Sequence, residues 1–296
     1  MKQDLSLQQT EPIFERIRKH EGQRVSKRCM LFFCAILLVC IAVESVLMMI
    51  LGRIFGETEH ETLQNLFLTV IETTAVILFC RLGERRPLRT MGIRKTKVIR
   101  DYLVGVVLGV GMFAAVVGIA CLFGTMQNNG AVQKISWGMI AVYMCGWLLQ
   151  GFSEEILCRG FLLSSFGVHQ KPWSAVIGSS IVFAVLHLGN DNISGLAIIN
   201  LTLFGIFAGI LYLRTDSIWM VAALHSLWNF AQGNLFGIEV SGMQIPVNIL
   251  QFQADANGKW INGGAFGVEG GLATTIVFAI GIIMALLWKQ RDASEM

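Results

Sequence analysis

Charge and proline are scarce in this chain of 296 residues: 15% of its positions are charged and only four are proline. Soluble domains carry roughly 25% charged residues, so an ordinary soluble globule is excluded, and with it disorder and collagen. The polar loops lack cysteine. All seven cysteines (Cys29, Cys34, Cys40, Cys80, Cys121, Cys145, Cys158) lie in or beside apolar runs, which excludes a secreted disulfide framework and a CxxC-type metal site. They are expected to pack as small hydrophobes. There is no internal repeat, no separate soluble domain and no HExxH. The first twenty residues have no apolar core and are not a cleavable signal peptide. What is abundant is apolar surface, at 54% of residues and a mean hydropathy of +0.62. The composition is that of a polytopic membrane protein.

A bilayer core about 30 Å thick takes roughly 20 helical residues to cross. Eight segments qualify: Leu31–Leu51, Leu63–Leu82, Tyr102–Gly124, Ile135–Ser153, Trp173–Gly189, Gly195–Leu213, Ser217–Phe236 and Gly270–Trp288. The predicted fold is an all-α bundle of about eight spans. Twenty of the 23 basic residues fall on one side if the arm before Leu31 and the connection Arg81–Arg100 are both inside, which sets both termini in the cytoplasm. The first outer loop, with Glu57, Glu59 and Glu61, is then acidic. The basic stretch Arg85–Arg100 is read as setting topology and touching anionic headgroups, so no nucleic-acid partner is expected. Gly105/Gly109 and Gly205/Gly209 are spaced for close helix packing.

The chain divides into an N-terminal cytoplasmic arm (1–30), N-terminal membrane helices (31–134) and a core (135–236). A glycine-rich loop on the outer surface (237–269) and a last helix with a short cytoplasmic tail (270–296) complete it. An ionisable side chain inside a bilayer costs at least about 2.5–3.5 kcal/mol on insertion scales, so the few present stand out. They are Glu44, Glu72, Glu154, Glu155, His187 and His225, with Arg159 nearby. In Gly151–Leu163, Glu155 and Arg159 are four apart on one helix face and can pair. Glu154 is turned away by about 100° and is free to face a cavity, where it would suit a general base. Phe183 and His187 are four apart, as are His225 and Asn229, and the last two can both donate hydrogen bonds toward a developing oxyanion. Each segment alone also fits packing or an interhelical clamp; three in succession favour an assembled site. Glu44 and Glu72 are expected to pair with polar groups of neighbouring spans or to line a substrate entry.

These residues resemble the EExxxR, FxxxH and HxxxN/B motifs of the CAAX protease and bacteriocin-processing family (CPBP, or Abi), the type II CAAX prenyl endopeptidases. The resemblance covers about Met139–Gln232 and includes Gly160-Phe161-Leu162 after the arginine. It implies an intramembrane endopeptidase of a membrane-associated protein or peptide, in a bacterial or archaeal cell membrane. By the resemblance, Glu154 and His187 activate a water, His225 and Asn229 hold the oxyanion, and Glu155, Arg159 and Phe183 support them. No cofactor is expected; a zinc ion held by Glu and His is the alternative to a metal-free mechanism. The other readings of the chain are a non-catalytic bacteriocin-immunity or scaffold protein and a proton-coupled transporter. One difficulty is depth. Glu154 closes one predicted span, whereas His187 lies about 14 residues, roughly 21 Å of rise, into the next. A shared site requires the fourth helix to run past Arg159, or the spans to tilt.

Overall fold

The computed structural model describes residues 12–21, 24–55 and 61–288. The rest of the arm, Glu57 and Glu59 of the first outer loop, and the tail with Lys289 and Arg291 lie outside the described residues. Helices dominate because long Leu, Ile, Val and Phe runs can satisfy their backbone within a bilayer only by helical hydrogen bonds. In chain order they are α1 (Pro12–Glu21), α2 (Cys29–Phe55), α3 (Glu61–Leu68), α4 (Val70–Leu78), α5 (Val98–Leu122), α6 (Trp137–Glu155), α7 (Ser164–His169), α8 (Pro172–Leu186), α9 (Gly195–Thr215), α10 (Ile218–Phe230), the single turn α11 (Lys259–Asn262) and α12 (Leu272–Leu287). Each of the eight predicted segments coincides with helix. Among the described residues four stretches, Cys29–Ile54, Glu61–Gly83, Val98–Leu122 and Gly195–Thr215, are long and apolar enough to cross a membrane. The chain is an integral membrane protein.

Small residues set the close approaches. A Cβ on Gly205 of α9 would lie 2.7 Å from the Ser180 Cβ of α8, and one on Gly105 of α5 would lie 2.8 Å from the Ala223 Cβ of α10. Gly109 meets the Leu224 backbone in the same way. These glycines do pack helix on helix as their spacing predicts, because in lipid van der Waals contact and not water exclusion drives association. A third contact of this kind has Gly151 of α6 against Ser226 of α10, where a Cβ would sit 2.7 Å from the Ser226 nitrogen. It brings the Glu154 helix onto the His225 helix.

Among the described residues the all-α expectation fails at one pair of strands. Met126–Ala131 (β1) pairs antiparallel with Leu250–Ala254 (β2), Met126 opposite Ala254, with a bulge between Asn128 and Ala131. LQFQA alternates in burial as a half-covered strand does, and its partner MQNNGA is too polar for a helix in lipid. Two further expectations are corrected. Cys34 and Cys145 are exposed, so they do not pack inside, whereas Cys29, Cys40, Cys80 and Cys158 do. Nor is the basic stretch all available to headgroups. Arg86 is wholly buried with its Nε 2.7 Å from Glu84 Oε2, and Arg94 Nη1 lies 2.9 Å from Asp216 Oδ2.

The arm is also more than a charge tag. On α1, Ile13, Phe14 and Ile17 are buried, while Arg16 grips both oxygens of Asp216 at 2.6 and 2.7 Å. Asp216 ends α9 in the left-handed conformation (φ 52°), one that Asp tolerates better than most residues. Its hydrogen bond holds the Arg16 guanidinium above its ordinary pKa. Arg18 donates to the carbonyls of Gly167, Val168 and Gln170, the open C-terminal end of α7.

Candidate active site

The depth difficulty is resolved by one continuous helix. α6 does not stop near Ser153; it passes through a π-helical stretch, Ile156–Leu163, into α7 and ends at His169. Glu154 is therefore in mid-helix. After the Gln170–Lys171 turn, Pro172 starts α8, where a missing N–H costs nothing. Glu154 precedes Gln170 by sixteen residues and His187 follows it by seventeen, so the hairpin returns His187 to the level of Glu154. Wide π turns of this kind recur at functional sites.

Glu155 and Arg159 form the pair that their spacing predicts, but inside the protein: the two side chains are 0% and 1% exposed, with Arg159 Nη1 2.7 Å from Glu155 Oε1. The same oxygen receives His225 Nδ1 at 2.9 Å. The rest of the guanidinium stacks against rings, 4.8 Å from the Phe183 centroid and 5.5 Å from that of Phe204, contacts suited to a cation shut away from water. Since a carboxylate only accepts, His225 Nδ1 carries a proton and Nε2 is left to the cavity. Phe183 does a second job through its carbonyl, which accepts from His187 Nδ1 at 2.8 Å. A carbonyl cannot donate, so neutral His187 presents the lone pair of Nε2.

Both Nε2 atoms face Glu154. Its Oε2 is buried without a hydrogen-bond partner, 3.9 Å from His187 Nε2 and 3.8 Å from His225 Nε2. Those separations are too long for direct hydrogen bonds and leave room for a small bridging group. The other carboxylate oxygen accepts from Gln150 Nε2, and Gln150 Oε1 accepts from Asn229 Nδ2 at 3.0 Å. One amide thus locks Glu154 and Asn229 together and leaves the second Asn229 N–H free. A cavity of about 310 Å³ opens here, lined by Glu154, His187, His225 and Asn229.

All seven residues singled out by the motifs are thus brought into one neighbourhood. Of the two unassigned acids, Glu72 lines the cavity and accepts from Ser153 Oγ at 3.2 Å, while Glu44 does not line it. Gln150, Phe204 and Glu269 were missed. Gln150 had a readable signal, being a polar residue one turn before Glu154 in an apolar helix. Glu269, assigned to an outer loop, folds back to line the cavity; nothing local in the sequence indicates that. Among the described residues no group of three or more His, Cys, Asp or Glu side chains is gathered to hold a metal ion.

Residues 136–231 match the family described as type II CAAX prenyl endopeptidase Rce1-like. The chain carries an Rce1-like domain. The match runs from the residue before α6 to the first residue after α10 and includes Glu154, Glu155, Arg159, Phe183, His187, His225 and Asn229. Comparison with curated proteins gives no match. The Rce1-like domain relates the chain to the CAAX-type intramembrane proteases and supports a membrane-associated substrate.

Proposed function

We propose that the chain is an intramembrane endopeptidase of the prokaryotic cell membrane, in which a water held by Glu154 and His187 hydrolyses a peptide bond of a membrane-associated protein or peptide. One observation carries the reading: the buried, unpartnered Glu154 Oε2 facing the Nε2 atoms of two histidines at 3.9 and 3.8 Å. A water between Glu154 Oε2 and His187 Nε2 meets two acceptors, which direct its hydrogens away from the substrate and its lone pair toward the scissile carbonyl carbon. As oxygen bonds to carbon, the proton goes to Glu154. The carbonyl oxygen becomes an oxyanion that accepts from the free Asn229 N–H and from His225 Nε2–H, His225 being imidazolium with Glu155 as counter-ion. The C–N bond then breaks, the Glu154 proton moves to the leaving nitrogen, and the new carboxyl loses its proton to His187. Glu155 and Arg159 hold His225, and Phe183 holds His187. No covalent acyl-enzyme forms and no bound cofactor takes part.

In this reading all eight helical segments cross the bilayer and both termini are cytoplasmic, as the basic residues predict. The test is cleavage of a quenched library of membrane peptides by the purified protein, with and without chelator. Cleavage that survives chelation and falls by about 10²–10³-fold in His225→Ala supports the reading. Cleavage abolished by chelation and restored by zinc overturns its metal-free step, and His225→Ala at the wild-type rate overturns the oxyanion assignment.

A further inference from the structure

The loop 237–271 sends one carboxylate into the cavity. Glu269 is 8% exposed, and three donors converge on its Oε2: the Ser241 backbone nitrogen at 2.8 Å, Ser241 Oγ at 2.7 Å and Gln232 Nε2 at 3.3 Å. Its backbone is pinned as well, by Asn200 Nδ2 on its carbonyl at 2.7 Å. Oε1 accepts no hydrogen bond among the described residues and is left to the cavity that Glu269 shares with His187 and Asn200. A buried carboxylate ordinarily needs a cation within reach. None of the described residues lining the cavity is Lys or Arg, and Arg159 is committed to Glu155 and covered by Phe183 and Phe204; the basic groups that share the cavity are His187 and His225, whose ring nitrogens face Glu154 and do not hydrogen-bond Glu269. With Glu72, Glu154 and Glu269 the lining holds three acids against two histidines, so a basic substrate group meets the more favourable charge.

We propose that Glu269 is a specificity-determining residue that receives a basic side chain of the substrate, so that the cavity takes an internal peptide bond near a Lys or Arg. This rests on the protease reading of the cavity. Gln232 and Ser241 position the carboxylate, and the substrate cation completes its shell through Oε1 with a charge-assisted hydrogen bond.

The test uses the full chain in detergent micelles and labelled membrane peptides identical except for Lys, acetyl-lysine or norleucine at one scanned position. Binding is measured by fluorescence polarisation on Glu154→Gln, where slow turnover keeps the peptide intact, and on Glu154→Gln/Glu269→Gln. At one position the Lys peptide should bind about tenfold tighter than the norleucine or acetyl-lysine peptide, and the ratio should fall to about one when Glu269 is also Gln. A ratio near one at every position in the first protein, or one that survives Glu269→Gln, overturns the proposal. Should Glu269→Gln not fold, Glu269→Asp, which withdraws the charge by one methylene, must lower the ratio, and an unchanged ratio refutes the assignment. If Glu154→Gln cleaves as fast as wild type, the assignment of Glu154 as base fails, and if wild type cleaves none of the peptides the protease reading fails; in either case the ratio, read from initial binding, still decides Glu269.

Discussion

Replacing Arg159 with leucine leaves Glu155 as an uncompensated charge in the closed interior of the protein. The two side chains are 1% and 0% exposed, their closest atoms are 2.7 Å apart, and Glu155 Oε1 also holds His225. Removing one member of a buried pair costs about 3–5 kcal/mol, and here the ring contacts of the guanidinium with Phe183 and Phe204 go too. Removing both members is different, because apolar side chains of similar size often replace a buried pair at no net cost. The remaining penalty in Glu155→Leu/Arg159→Leu is the orphaned His225 N–H, about 1–3 kcal/mol. The double variant should therefore be more stable than Arg159→Leu by about 2 kcal/mol, and because either single change strands a buried charge, the coupling energy should reach at least about 3 kcal/mol. Its activity should stay low, since His225 has lost the carboxylate that orients it. Unfolding of detergent-solubilised protein, followed by tryptophan fluorescence, measures all four corners of the cycle. A coupling energy below about 0.5 kcal/mol would refute the reasoning, as would a double variant with wild-type turnover.

Asn229→Ala should lower kcat by about 10²–10³-fold in the peptide assay, with a stability loss of only about 1 kcal/mol for the bond to Gln150. Gly205→Leu should destabilise by about 1–3 kcal/mol or more in the same unfolding assay, because even its Cβ overlaps Ser180. Asp216→Asn loosens both Arg16 and Arg94; these arginines are partly exposed, so the loss should be about 1 kcal/mol and should shrink in high salt. Burial pushes the Glu269 carboxyl above its ordinary value, outweighing the hydrogen bonds from Ser241, the nearby His187 and the hydrogen bond from Gln232. A raised folded pKa gives stability that is complete below the unfolded value and is lost as pH rises through the folded one. Wild type should therefore lose stability relative to Glu269→Gln as pH climbs above the ordinary carboxylate range, and a pH-independent difference between the two would contradict this.

Local pattern made the helices legible, since an apolar run of this length has few alternatives in a bilayer. The same holds for Glu155–Arg159, Phe183–His187 and His225–Asn229, each a pair that helical geometry alone puts on one face. Where the helices end was less legible. The π stretch Ile156–Leu163 continues α6 through Arg159, a charged residue that reads as a span's edge until its partner Glu155 is seen buried beside it. Long-range partners were not legible at all. Arg86 was assigned to headgroups because Glu84 and Ser165 meet it only in the fold, and Glu269 enters the cavity through Ser241 and Gln232, which are 28 and 37 residues away in the chain. The strand pair 126–131 and 250–254 likewise depends on contact across more than a hundred residues.

The central claim is that Glu154 is the base. Single-turnover cleavage of a membrane peptide, quantified by mass spectrometry for wild type and Glu154→Gln with their unfolding curves recorded alongside, tests it most directly. The account predicts a fall of at least about 10²-fold in rate with unfolding shifted by no more than about 1 kcal/mol, since the Gln150 contact can be kept by the amide oxygen. Equal cleavage rates in the two proteins would contradict it.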